Sequence, residues 1–181
     1  MMHNYIALLR GINVGGQKKI KMADLRETLI KTGLNHVETY IQSGNVVFGS
    51  EELNKRVLED QIQKAILVDF GFEVPILVVL EEEIKKILEN NPFAQEAEEN
   101  KLYFVLLKET PKKEPVREFN ELHFDHEDFH ITDTCVYLLC KNGYGNAKLN
   151  NNLLERKLKV EATTRNLRTM QKLLDMVQKS K

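Results

Sequence analysis

The chain has 181 residues, 42% of them hydrophobic and 29% charged, with a formal net charge of −1. That length suffices for one domain or two small ones without a metal or disulfide staple. No apolar run approaches the ~18 residues of a membrane span, and Met1–Leu9 meets Arg10 too soon for a signal peptide, so a cytoplasmic protein with no membrane association is expected. Charge is segregated: residues 1–31 carry six Lys/Arg against two Asp/Glu and residues 141–181 carry ten against three, which leaves 32–140 with a net −12. Two readings stand, solvated helix faces or a basic face assembled from both ends of the chain that would favour acidic partners.

In chain order, Tyr5-Ile6-Ala7-Leu8-Leu9 predicts a strand over 5–10. It breaks into Arg10-Gly11-Ile12-Asn13-Val14-Gly15-Gly16, followed by Gln17-Lys18-Lys19-Ile20-Lys21. Glycines after a strand expose backbone N–H groups, and flanking cations make such a concavity attractive to an anion. Arg10 offers a planar fork to phosphate or carboxylate oxygens, and Asn13 can donate and accept. The loop is neither the dinucleotide fingerprint nor the Walker loop, whose Gly-Lys-Ser/Thr ending is missing. A strand-to-helix turn that needs glycine dihedrals is the competing explanation.

Met22, Leu25 and Leu29 then recur at helical spacing, with Gly33 as a stop. Strands over 37–41 and 45–48 flank Gln42-Ser43-Gly44, a hairpin signal with Gly44 available for positive φ. Turns favour Ser, Gly and Asn for local bonding, and a nucleophilic Ser43 would need a base that the sequence does not show. Leu53, Val57, Leu58, Ile62, Ala65 and Ile66 predict a helix over about 51–69. A strand over 74–79 completes the order βαββαβ, the ferredoxin-like unit, in which the first strand is central and the fourth, with Pro75, is an edge.

The acidic stretch 81–100 reads as a short helix and a linker. Beyond it come a strand over 102–107, a helix with Pro115 in its first turn and Val116, Phe119 and Leu122 inward, and strands over 128–131 and 135–140. Two helical segments then replace a final strand. The fold class expected is therefore α+β, with two ferredoxin-like subdomains in tandem (1–80 and 101–181), the second incomplete and ending in two helices. Five strand steps place Cys135 and Cys140 roughly 16 Å apart on opposite faces, too far for a disulfide, which leaves them as structural thiols.

In the C-terminal basic region, Thr163 or Thr164 is a plausible N-cap for a helix carrying Leu167, Met170, Leu173, Leu174 and Val177. Arg165 would then sit in a first turn against the macrodipole, which calls for a bound anion or a salt bridge to the acidic middle. His123, His126 and His130, with Asp125, Glu127 and Asp128, match no zinc spacing and read as a solvated acidic loop with no metal. The RNA recognition motif shares the βαββαβ order, but Asn45–Phe48 lacks its Lys/Arg-Gly-aromatic signature. Both faces of the first strand are apolar, so base stacking there is disfavoured.

Arg10-Gly11-Ile12-Asn13-Val14-Gly15-Gly16, Tyr40-Ile41-Gln42-Ser43-Gly44-Asn45, Asn91-Pro92-Phe93, Gly143-Tyr144-Gly145 and Ala162-Thr163-Thr164-Arg165-Asn166 together resemble the uncharacterised bacterial family catalogued as domain of unknown function 1697. The resemblance covers essentially the whole chain. It implies a cytoplasmic α+β protein with two ferredoxin-like subdomains and no established reaction, substrate or cofactor. The chain departs from the family pattern at Leu167, where Trp is usual, and at Asn146-Ala147, where a basic residue and Ser are common.

The expected function is binding of a small phosphorylated or otherwise anionic ligand, a nucleotide among the candidates, where the Arg10–Gly16 loop meets the Tyr144–Asn166 region. Arg10, Lys148 and Arg165 would supply charge, and Asn13, Gly15, Gly16 and Thr164 hydrogen bonds. Ser43, Asn45, Tyr144 and Asn166 complete the candidate set. The alternatives are a nucleic-acid binder using the basic face and an interaction protein with no small ligand. A reaction, if there is one, would be transfer or hydrolysis at the anion; no catalytic residue, cofactor or oligomeric state is legible.

Overall fold

The computed structural model of the chain describes residues 1–95 and 97–180. They divide into two units, Met1–Lys85 with Lys172–Lys181, and Lys86–Gln171. In the first, the opening apolar run becomes β1 (His3–Leu9), followed by α1 (Met22–Lys31), β2 (Asn35–Tyr40), β3 (Asn45–Ser50), α2 (Lys55–Phe70) and β4 (Ile76–Leu80), with α3 (Glu81–Glu89) next in the chain. The sheet is antiparallel in the order β2-β3-β1-β4. Tyr5, Ala7 and Leu9 pack with Leu25, Leu29, Leu58, Ile62 and Ile66 on the helix-covered face. Ile6 and Leu8, which alternate with them, are also fully buried. Two-sided burial explains why β1 is a continuous apolar run.

Helix α2 starts where Asn54 Oδ1 accepts the Arg56 N–H at 3.0 Å, and ends at Gly71, whose φ of 78° is the left-handed cap. Its buried row is Leu58, Ile62 and Ile66; Leu53 and Val57, expected on the same stripe, are exposed. Leu53 precedes the cap, so it never joins the helical face. Pro75 falls just outside β4, where its carbonyl accepts the Arg10 N–H at 3.0 Å.

The second unit runs β5 (Leu102–Leu107), α4 (Lys113–Asn120), β6 (Glu127–Ile131), β7 (Cys135–Cys140), α5 (Asn151–Leu158) and β8 (Ala162–Asn166), and α6 (Leu167–Lys179) follows. Its antiparallel sheet has the order β6-β7-β5-β8. The expectation of an incomplete copy is thus corrected. Residues 162–166 are the last strand, paired with Leu107–Tyr103, and not the approach to a helix. β-Branched Thr163 and Thr164 favour extended backbone, and Thr163 and Arg165 are both buried. The N-cap of α6 is Asn166, whose Oδ1 accepts the Thr169 N–H at 2.9 Å, in place of Thr163 or Thr164.

Three of the four sheet edges carry a device against further pairing. On β4 the Val78 N–H donates to Glu59 Oε1 at 2.9 Å and the Leu80 N–H to Glu83 Oε2 at 2.8 Å, and Lys55 pairs with Glu83. On β8 the Ala162 N–H donates to Glu155 Oε1 at 2.8 Å, and the Ala162 carbonyl accepts from Asn151 Nδ2 at 3.1 Å. Strand β2 is broken by a register shift between Asn35 and Glu38, with His36 at φ 50°. Side-chain acceptors on outward N–H groups, and bulges, are recognised protections of a sheet edge.

Candidate functional site

The glycine loop of the first unit is a small hairpin. The Asn13 N–H donates to the Lys18 carbonyl at 3.2 Å and the Gln17 N–H to the Val14 carbonyl at 2.9 Å. Gly15 and Gly16, at φ 57° and 77°, form its two-residue turn, the positive-φ pair that only glycine adopts cheaply. The loop is therefore not a strand-to-helix turn, since α1 begins only at Met22. Both glycines are exposed at the tip, and a Cβ on Gly16 would lie 4.0 Å from Lys19 Cε, so the Lys19 stem runs beside the turn. Lys18 Nζ donates to the Glu73 carbonyl at 2.6 Å.

Asn13 holds this hairpin in place. From a left-handed φ of 55° its Nδ2 donates to the carbonyls of Ile20 at 2.9 Å and Gln42 at 2.8 Å, while its Oδ1 accepts the Ile20 N–H at 2.9 Å. Both amide hydrogens are spent within the protein, so Asn13 acts as a staple and has no donor left for a ligand. The Gln42 bond joins the hairpin to the β2–β3 turn, a segment 29 residues away in sequence. The same turn is seated on β1: the Leu9 N–H donates to the Gly44 carbonyl at 2.8 Å. Gly44 has φ 86°, and a Cβ there would meet Leu9 Cβ and Ile12 Cδ1, each at 2.7 Å.

Asn45 is fully buried and its Nδ2 bonds the Tyr40 carbonyl and Ser43 Oγ, each at 3.0 Å. It shapes the turn from beneath. The Ser43 hydroxyl accepts that bond, and among the described residues no His or carboxylate is hydrogen-bonded to it, so the arrangement of an activated nucleophile is not present.

In the second unit the motif residues close on one another. Tyr144 Oη donates to Thr164 Oγ1 at 3.3 Å, Thr164 Oγ1 donates to Asn151 Oδ1 at 2.9 Å, and the Asn151 N–H donates back to Tyr144 Oη at 2.9 Å. This ring fastens the start of α5 to β8, and Tyr103 stacks on Tyr144 at 4.9 Å. Lys148 is exposed, with its main-chain N–H on Glu127 Oε1 at 2.9 Å. Arg165 is only 8% exposed, and its Nη1 donates to Thr163 Oγ1 and to the Thr164 carbonyl, each at 2.8 Å. Burial pushes its guanidinium down to about 10, still charged at neutral pH. Since Arg165 lies in a strand, the argument from a helix first turn no longer applies to it.

The cysteines are free and buried on β7. Burial raises both thiols, Cys140 to about 11 with a further push from Glu127, which is the opposite of an activated nucleophile. Among the described residues no group of three or more His, Cys, Asp or Glu could hold a metal ion. A groove of about 520 Å³ runs between α4 and the β6–β7 turn, where Lys113, Val116 and Arg117 face Ile131 and Asp133. None of the residues expected from the sequence lines it. No helix of the described residues is long and apolar enough to cross a membrane.

Two α+β units, each built on a four-stranded antiparallel sheet, with the glycine hairpin and the β2–β3 turn joined at one end of the first, define the class. The family model described as protein of unknown function (DUF1697) matches residues 2–137, and the chain belongs to that family. Among solved structures it is similar to the conserved bacterial protein SP0830 from Streptococcus pneumoniae, at 27% identity and a TM-score of 0.77 over 98% of this chain and 99% of that one. No curated protein matches the chain.

Proposed function

We propose that both units are ferredoxin-like modules, a duplicated pair, and that the first binds a small phosphorylated or otherwise anionic ligand in the cytoplasm. Support for the modules is the repeated order: the strands of the two sheets run 2-3-1-4 in each unit, with helices after the first and third strands. The binding reading rests on one observation. Asn13 ties the exposed Gly15–Gly16 turn, with Lys19 alongside, to the Gln42–Asn45 turn. Glycine N–H groups beside an ammonium are the elements of an anion-binding concavity. Arg10, Lys18, Lys19 and Lys21 add charge from the same loop. Tyr144, Thr164 and Arg165 use hydrogen bonds inside their own unit, so the proposal is carried by the loops of the first unit, while Lys148 belongs to the second.

The test is a thermal-shift and calorimetric series with inorganic phosphate, pyrophosphate, ATP and a short RNA, on wild type, Lys19→Glu and Lys21→Glu. These lysines are exposed, so the variants should melt with wild type when unliganded. One small anion should stabilise wild type by about 2.7 kcal/mol at a hundredfold excess over Kd, and Lys19→Glu should abolish that shift. RNA binding that falls log-linearly with salt would instead assign the loop to nucleic acid. No shift with any compound overturns both.

A further inference from the structure

Strand β6 is the sheet edge whose outward main-chain groups meet neither a side-chain acceptor nor a bulge among the described residues. The Lys141 N–H donates to the His126 carbonyl and the Thr132 N–H to the Cys135 carbonyl, each at 2.9 Å, which sets the phase of the β6–β7 ladder. The main-chain groups of Glu127, Phe129 and Ile131 therefore point away from β7. They have no hydrogen-bond partner among the described residues. Phe129 and Ile131 pack their side chains against the core of the unit. Asp128 and His130 lie on the other face, Asp128 within 3.0 Å of Lys141 and His130 stacked on Tyr137.

We infer that β6 pairs with β6 of a second copy of this chain, antiparallel about a two-fold axis at Phe129. The occupant is chosen by side-chain complementarity. Centring the pair on Phe129 sets Asp128 opposite His130 of the other copy, twice by symmetry, a carboxylate acceptor facing an imidazole N–H donor at the non-hydrogen-bonded positions where side chains approach most closely. Glu127, Phe129 and Ile131 then face Ile131, Phe129 and Glu127 at the hydrogen-bonded positions, so every outward main-chain group of the edge gains a partner. An isologous contact requires this self-complementarity, which an arbitrary edge sequence does not have. The inference is independent of the anion reading, because it uses no residue of the first unit.

Sedimentation equilibrium of the full chain tests it. Wild type should sediment at twice the 21.0 kDa chain mass at tens of micromolar. His130→Asp places two like-charged pairs across the axis and should weaken the dimer about tenfold or more, while circular dichroism and melting stay those of a folded protein. The exchange variant, Asp128→His with His130→Asp, restores a carboxylate opposite an imidazole at the same sites and should recover the dimer. A wild-type monomer at 100 μM overturns the inference. A dimer that ignores both variants does so too, and places any self-association elsewhere.

Discussion

Gly44 offers the sharpest test of how the two loops are seated. Its φ of 86° lies in the left-handed region, and a Cβ would sit 2.7 Å from both Leu9 Cβ and Ile12 Cδ1, atoms of buried residues with little room to retreat. Gly44→Ala therefore carries two costs. The left-handed backbone costs about 1–2 kcal/mol for any L-residue, and forcing a methyl into a packed contact costs about 1–3 kcal/mol more. Gly71→Ala separates them, because Gly71 has φ 78° but nothing within 4 Å of its added Cβ. For a chain of this length each kcal/mol moves Tm by roughly 2–4 °C. Gly71→Ala should thus fall by about 2–8 °C, and Gly44→Ala by about 4–20 °C and clearly further. The measurement is paired thermal and urea unfolding of the two variants and wild type. Equal losses at the two sites would refute the close approach of the turn to β1.

Asn13→Gly keeps the left-handed backbone but removes three side-chain bonds, and should cost about 1–3 kcal/mol in urea unfolding while raising amide exchange at Ile20. In the Tyr144–Thr164–Asn151 ring, Tyr144→Phe and Thr164→Val should each destabilise by about 1–2 kcal/mol, and the double variant by less than the sum, since the two hydroxyls share one network. Cys140 is raised from 9.0 to about 11 in the folded chain, so its contribution is fully present below pH 9 and is lost as pH climbs through 11. Melting temperature should accordingly drop between pH 9 and 11, and Cys140→Ala should drop less steeply. Both thiols should resist a disulfide reagent until the protein is unfolded, and rapid labelling of native protein would contradict their burial.

Much of the framework was legible because it is written in periodicity. The apolar run at Tyr5–Leu9, the paired short runs around Gln42–Gly44 and the Leu58–Ile62–Ile66 row each bury one chemistry at one spacing, and the βαββαβ order follows. Strand β8 was missed because Ala162–Asn166 is five residues long, mostly polar, and runs into α6 without a loop, so Thr163 and Thr164 resembled caps. The signal that would have found it is the repeated order itself, which demands a strand beside β5. The site was less legible. Asn13 and Asn45 stand at the positions expected of ligand donors, yet Asn45 spends its amide within its own turn, on the Tyr40 carbonyl and Ser43 Oγ, and Asn13 spends one hydrogen on the Gln42 carbonyl, a partner brought in by the tertiary fold that no local spacing reveals. Arg165 misled for the same reason: its burial depends on which face of a strand it occupies.

The guards on β4 have a consequence for how the chain emerges from a ribosome. Glu59 precedes the N–H it blocks by 19 residues and Glu83 follows its own by three. On β8, Glu155 comes seven residues ahead of its target. Each acceptor is thus synthesised almost together with the donor it silences, so a growing polypeptide can seal these strands soon after exposing them. Crowded nascent chains on one messenger would then find few sticky borders to share.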